Sequence, residues 1–274
     1  MTTPRLLAES DRERVLEYVR IEPEMNLFII GDIEQFGMEG PVSVYALEAD
    51  DGNWDSVVCR FYGNFVCYSP SDDFDAEAMA ACIKEVSGGA IKGSINGKYE
   101  VVRKLEPYFE DMELRSMFLA KCTSVHHEDI APAPDGVTVR KLTADDYDEL
   151  FELLGSMREY RGLYADDVLI AAAKEQKNGD EAHGCVTFGA FYEGEMVSTA
   201  ATSAVSSEGA MVVGVGTRDD VRGNGLATSV VSELAQECFD EGKSFLCLFY
   251  ENPRATAIYS RIGFDVVGRY AMLR

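Results

Sequence analysis

The chain has 274 residues, 46% of them hydrophobic, and a formal net charge of −23 at pH 7. This length suits one large or two modest domains, and no apolar run is long enough to span a membrane. Both halves carry more acidic than basic residues, which disfavours nucleic acid and anionic membranes as partners.

The first 15 residues are rich in charged side chains and lack the apolar region of a signal peptide. The seven cysteines are scattered without a C-x-x-C pair, which is typical of reduced thiols in a protein core. We therefore expect a cytoplasmic protein without a disulfide framework or a metal site.

The first half of the chain predicts helices and strands in alternation. A short strand at 5–8 is followed by helices at 12–20 and 26–33. The later predicted elements are strands at 42–48, 54–62, 64–68, 90–95 and 114–121, and helices at 75–85 and 98–109.

The second half follows a predicted linker at 126–135, where two prolines disfavour regular structure. Its first elements are a strand at 137–142 and helices at 144–157 and 165–177, joined by the loop 158–164. Strands at 185–192, 196–205 and 210–217 follow. The last predicted elements are a helix at 228–241, a strand at 244–249, a helix beginning at Pro253 and a strand at 264–273.

A faint internal repeat relates the starts of the two halves at a spacing of 135 residues. The matched residues are Arg5 with Arg140, Leu7 with Leu142, and Asp11 with Asp146. This repeat predicts two copies of one fold, with domains at 1–125 and 136–274.

A diphosphate cradle is predicted after the strand at 210–217. The free N–H groups and the dipole of a helix N-terminus attract anions. Gly223 and Gly225 permit positive φ and keep Cβ atoms away from a phosphate, while Arg222 supplies a forked cation. The loop lacks the Lys of a P-loop and the third Gly of the dinucleotide fingerprint. An ordinary strand-to-helix turn is the alternative.

Two motifs in order extend this interpretation. R-x-x-G-x-A at 222–227 resembles the pyrophosphate loop of the GNAT superfamily of N-acetyltransferases, and N-P-x-A-x-x-x-Y-x-x-x-G-F at 252–264 resembles its later helix. The resemblance covers residues 136–274. It implies two tandem GNAT-like domains of the α+β or α/β class, each with a mixed, mostly antiparallel central sheet flanked by helices.

The resemblance implies acetyl transfer from acetyl-CoA, as cosubstrate, to a primary amine of a small molecule or peptide by direct attack. Tyr259 is placed as general acid to the leaving thiolate, and an aromatic side chain that only packs on the sheet is the alternative. The implied cofactor-binding residues are Val215, Gly216 and Thr217 on the strand, Arg222, Gly223, Asn224, Gly225, Leu226, Ala227 and Thr228 around the pyrophosphate, and Asn252 on the pantetheine arm.

The general base is unassigned because the strand at 210–217 contains no acid. Glu208, Glu251, His183 and a chain of water molecules stay open. A non-catalytic acyl-CoA-binding regulatory module is the alternative function, and a homodimer is left open.

Two further expectations concern the rest of the molecule. The acidic segment 69–75 takes the place of the cradle in the first half and has no glycine, so we expect CoA to bind only the second half. The loop 158–164 is expected to line the acceptor site, with Tyr160 and Tyr164 as flat surfaces and Glu159 as countercharge to an ammonium.

Overall fold

The computed structural model describes residues 2–49, 51–164 and 166–274. The chain folds into two compact units. The first contains the residues up to Leu119 together with Val267–Arg274, and the second contains Ala120–Val266. In the described ranges, no helix combines the length and the apolar character needed to cross a membrane.

The helices and strands alternate along both units. In chain order they are β1 (Thr3–Leu6), α1 (Arg12–Val19), α2 (Leu27–Phe36), β2 (Val42–Glu48), β3 (Trp54–Phe61), β4 (Asn64–Tyr68), α3 (Ala76–Val86), β5 (Ile95–Lys98), α4 (Tyr99–Leu105), β6 (Leu114–Cys122), β7 (Val137–Lys141), α5 (Tyr147–Ser156), α6 (Asp167–Ala182), β8 (Thr187–Tyr192), β9 (Glu195–Ser203), β10 (Gly209–Thr217), α7 (Leu226–Asp240), β11 (Phe245–Tyr250), α8 (Thr256–Ile262) and β12 (Asp265–Leu273).

The first five strands of the two units follow the same order. It is β1-β2-β3-β4-β5 in the first unit, where β12 and β6 follow, and β7-β8-β9-β10-β11 in the second. The described pairs within β1–β5 and within β7–β11 are antiparallel except for β4–β5 and β10–β11, which are parallel. The parallel pair therefore falls at the same place in both copies, and the predicted fold class is confirmed.

The internal repeat is visible in the side chains that close the first turn of each copy. Arg5 pairs with Asp11 at 3.2 Å, and Arg140 pairs with Asp146 at 2.6 Å. Each aspartate also accepts a hydrogen bond from the backbone N–H three residues before it, at 3.0 Å and 2.8 Å. The same Arg–Asp pair with the same backbone hydrogen bond thus closes the first turn of both copies, as the shared register predicts.

The core of the second unit includes α5, which packs its apolar face against the sheet. Leu150, Phe151 and Leu154 are buried together with Met157, which follows the helix. Their spacing of three or four residues places them on one side of the helix. This packing fixes the start of the loop 158–164. All seven cysteines are buried, as expected of core thiols.

The compact units differ from the predicted domain boundaries at both ends of the second half. Residues 267–274 fall in the first unit, where Tyr270–Leu273 pair with residues 95–98 of β5. The predicted linker is held on the second unit. There the His126 N–H donates to the Ile262 carbonyl at 3.0 Å, and His127 Nε2 lies 2.8 Å from Gln236 Oε1.

Candidate active site

The strands β10 and β11 of the second unit separate part-way along their length. They pair in parallel from Gly209 and Phe245 to Val212 and Leu248. β10 continues to Thr217 and stays paired with β9, with an irregularity after Val213 at which Gly214 has φ +62°. Beyond Val212, the described residues therefore show no β11 pairing on one edge of β10.

The glycine loop connects this strand to α7. Gly223 and Gly225 have φ of +84° and +81°, which glycine adopts without steric cost, and a Cβ at either position would meet no atom within 4 Å. Gly225 is the N-cap of α7 and offers no side-chain acceptor. The N–H groups of the first turn thus remain available to a ligand.

A cavity of about 420 Å³ joins these elements. Ten of the predicted site residues line it: Val215, Gly216, Thr217, Arg222, Gly223, Gly225, Leu226, Ala227, Thr228 and Tyr259. The side chains of Asn224 and Asn252 have other uses. Asn224 Nδ2 donates to the Val221 carbonyl at 3.0 Å, and exposed Asn252 accepts from the Arg254 N–H at 3.0 Å. Each closes a local turn.

Five lining residues were not among the predicted cofactor-binding residues: Met157, Glu159, Tyr160, Ile258 and Arg261. Ile258 and Arg261 are three residues apart on α8, a spacing that would have placed them on one face. Met157 packs so closely on Gly216 that a Cβ at this glycine would lie 2.6 Å from the Met157 sulfur. The sequence pattern gives no signal for that long-range contact.

Arg222 is held at the rim of the cavity by three groups. Its Nε donates to the Thr217 carbonyl at 2.9 Å, and its two terminal nitrogens contact the Glu159 carboxylate at 3.1 Å each. Asp219 adds an ion pair at 2.8 Å. The Arg222 guanidinium lowers the pKa of Glu159. Glu159 was expected to face the ammonium group of an acceptor. In the structure its carboxylate instead pairs with Arg222.

Tyr259 combines packing with exposure to the cavity. Its half-buried ring lies against Tyr250, with centroids 5.4 Å apart, and against Phe264 at 6.1 Å. Burial, followed by the influence of Tyr160 and Tyr250, raises the pKa of Tyr259 to about 12. The phenol is therefore protonated at neutral pH and able to donate a hydrogen bond.

A second cavity, of about 290 Å³, lies between α5, α6 and the sheet. Tyr160 lines both cavities, and its hydroxyl donates to the Val215 carbonyl at 3.1 Å. Tyr164 lines the second cavity. Three residues of the loop 158–164, namely Tyr160, Leu163 and Tyr164, therefore line this cavity.

The candidate bases lie elsewhere in the described chain. Glu208, Glu251 and His183 are not among the lining residues of either cavity, and His183 Nδ1 lies 2.8 Å from the Gly179 carbonyl. The carboxylate that lines the second cavity is Asp180, whose pKa is raised by burial.

The matching place in the first unit is built differently. β4 pairs with β5 from Phe65 to Cys67 and ends at the next residue, so it has no unpaired extension. Asp75 is the N-cap of α3 and accepts from the Ala78 N–H at 3.0 Å. A carboxylate of the chain itself thus occupies the helix N-terminus that an anionic ligand would need.

Comparison with known proteins relates this site to a family. Residues 179–273 match the family model described as GNAT acetyltransferase. The whole fold is similar to a Drosophila protein (TM-score 0.69, 13% identity, covering 100% of this chain and 98% of that one). It is also similar to a GCN5-related N-acetyltransferase from Sphaerobacter thermophilus (0.61, 15%, 99% and 94%) and to a tandem GNAT protein from the clavulanic acid biosynthesis pathway (0.61, 11%, 100% and 98%). No curated protein matches the sequence.

Proposed function

We propose that the chain transfers the acetyl group of acetyl-CoA to a primary amine, because residues 179–273 match the GNAT acetyltransferase model. One observation carries this proposal. A single cavity brings together the unpaired edge of β10, the glycine loop, the first turn of α7 and the Tyr259 phenol. These are the groups that a long anionic thioester needs along its length.

The cofactor would lie along this cavity as an extended chain. The edge of β10 beyond Val212 has no β11 pairing among the described residues and offers backbone donors and acceptors to the amides of pantetheine, which would displace the Tyr160 hydroxyl from the Val215 carbonyl. The first-turn N–H groups of α7 and the guanidinium groups of Arg222 and Arg261 suit a diphosphate. Bound acetyl-CoA supplies the acyl group as a thioester, activated toward an amine.

Tyr259 is the proposed donor to the leaving sulfur. As the new C–N bond forms and the C–S bond breaks, the amine nitrogen loses one proton and the thiolate gains one. Thiols have a pKa of about 8.5, well below the value of about 12 at Tyr259. The phenol therefore stabilises the thiolate by a hydrogen bond and passes on a proton only as it receives another.

The test combines cofactor binding with turnover. Calorimetry with CoA should give one site per chain, and acetyl-CoA with a panel of amines should release free thiol. Gly225→Asp places a carboxylate on the proposed diphosphate path and should weaken CoA binding by about tenfold or more.

Gly242→Asp is the matched control for this variant. Gly242 also has a positive φ, +94°, with no atom within 4 Å of an added Cβ, and it is not among the residues that line the cavity. Equal CoA affinity in the Gly225 variant and the parent would contradict the cradle. CoA binding without transfer to any amine would favour the regulatory module.

A further inference from the structure

The second cavity has two chemically different ends. One end meets the proposed cofactor site at Tyr160, which lines both cavities, and the other is lined by Lys177 and Asp180 of α6. The wall on the side of α5 and the loop is apolar, whereas the sheet adds hydroxyl groups. The apolar residues are Leu150, Phe151, Leu154, Leu163 and Ala173, and the hydroxyl-bearing residues of the sheet are Thr187, Thr199, Thr202 and Ser203. Such a cavity suits a ligand with a polar group at each end and an aliphatic middle.

The charged end holds a cation and an anion that are poorly solvated. Lys177 and Asp180 are three residues apart, so both lie on the inner face of α6. Burial lowers the pKa of the Lys177 ammonium and raises the pKa of the Asp180 carboxyl, while each partly offsets the shift of the other. Among the described residues Lys177 has no ion pair within 4 Å. A ligand of complementary charge would satisfy both groups.

Thr187 adds an independent sign of a missing ligand. Its side chain lines the cavity and is 1% exposed, and its hydroxyl has no hydrogen-bond partner within the described part of the chain. A buried hydroxyl without a partner is unfavourable, whereas this one can donate to a carboxylate or accept from an ammonium.

The register of the sheet gives the distance between the two ends. The Asp180 carbonyl accepts from the Cys185 N–H at 3.0 Å, which fixes this end of α6 beside the row that contains Thr202 and Val212. Tyr160 contacts Val215, three residues further along β10. A regular strand would separate these two points by about 10 Å, and the irregularity after Val213 makes the separation along β10 shorter than that.

We propose that this cavity binds the acceptor, and that the acceptor is a diamino acid of the lysine or ornithine type. Its side-chain amine lies at the Tyr160 end, and its α-carboxylate and α-ammonium lie at Lys177 and Asp180. The inference rests on the proposed function. In the step, the side-chain nitrogen bonds to the acetyl carbon, the C–S bond breaks, and one proton passes from nitrogen to the thiolate.

A set of amines tests the head group. Initial rates are compared for lysine, ornithine, cadaverine, aminocaproate and pentylamine with saturating acetyl-CoA. We expect kcat/KM for lysine or ornithine to exceed that for pentylamine by about tenfold or more. Cadaverine and aminocaproate, which each keep one of the two charged groups of the amino acid head, should give intermediate values. Mass spectrometry should place the acetyl group on the side-chain nitrogen. Equal use of pentylamine, or acetylation of the α-amine, would overturn the inference.

Two variants test the recognition residues. Lys177→Met and Asp180→Asn should each raise KM for lysine by about tenfold to a hundredfold and change KM for pentylamine much less, with CoA affinity unchanged. Lys174→Met is the control, because Lys174 lies on the same helix but pairs with Asp148 and does not line the cavity. Unchanged KM in both test variants would reject the assignment.

The outcomes separate this inference from the proposed function. Acetyl transfer that ignores the head group and both variants would refute the inference alone. Absence of transfer to every amine, with or without CoA binding, would refute the proposed function and this inference with it.

Discussion

Replacing Glu159 by glutamine should tighten CoA binding. The Glu159 carboxylate holds both terminal nitrogens of Arg222 at 3.1 Å, and it lines the cavity proposed for the cofactor. A diphosphate must therefore compete with Glu159 for the guanidinium and must approach a like charge. Glutamine keeps the size of the side chain and removes that charge.

The magnitude follows from exposure. The side chains of Arg222 and Glu159 are 43% and 48% exposed, and ion pairs so exposed contribute about 0.2–1 kcal/mol. One unit of like charge about 10 Å away in water adds roughly 0.4 kcal/mol of repulsion before screening. The sum, about 0.6–1.4 kcal/mol, corresponds to about threefold to tenfold in Kd.

Calorimetry with CoA at low and high salt measures this effect. Glu195→Gln is the matched control, because Glu195 pairs with Arg218 at 2.8 Å and is not a lining residue of the cavity. The gain at Glu159 should shrink as salt rises, since exposed charges are screened. Weaker binding by Glu159→Gln would show that the carboxylate orients Arg222 for the ligand. An equal gain in CoA affinity in Glu195→Gln would show that the effect comes from the change in net charge and not from the contact with Arg222.

Three further predictions concern turnover and stability. Tyr259→Phe should lower the single-turnover rate by about a hundredfold or more while CoA affinity is unchanged; a parental rate would exclude the phenol as donor. Asp146 has its pKa lowered from 3.8 to about 2, chiefly by its arginine partner, so its stabilising contribution is present above about pH 4 and is lost as pH falls through about 2. The difference in melting temperature between the parent and Asp146→Asn should therefore narrow over that range, and a constant difference would contradict the linkage. Gly97→Ala should destabilise the fold by about 2–4 kcal/mol in urea titrations, because the added Cβ would lie 2.2 Å from the Cys67 carbonyl oxygen. Gly63→Ala is the control and should be mildly destabilising, because its Cβ would have no atom closer than 3.5 Å. Equal effects of the two variants would refute the steric argument.

The local elements could be predicted because their determinants lie within a few residues. The strands predicted at 42–48 and 64–68 have those bounds in the structure, since turn residues flank each apolar run. The conformations of Gly223 and Gly225 also follow from local chemistry, because only glycine adopts such φ readily. The conformation of this loop could therefore be predicted from the sequence, whereas its role as a diphosphate cradle stays a prediction.

Non-local pairing could not be predicted in the same way. The last strand, β12, pairs with β5, and its apolar pattern would look the same with any partner. Helix α6 was predicted to end at residue 177, but it continues to Ala182 through Asn178 and Gly179, two residues that usually favour an end. Asp180 consequently lies on the helix and lines a cavity that local pattern did not indicate.

Tyr160 shows how the two cavities are connected. Its hydroxyl donates a hydrogen bond to the Val215 carbonyl, on the β10 edge that is proposed to pair with pantetheine. The preceding residue, Glu159, accepts hydrogen bonds from Arg222. A cofactor that binds as proposed must replace both of these contacts, and they are made by adjacent residues of one loop. The same loop carries Tyr164 in the wall of the second cavity. Under the proposed function, cofactor binding must rearrange a wall of the acceptor site, so the affinities for the two substrates are coupled, and by linkage the coupling acts equally in both directions.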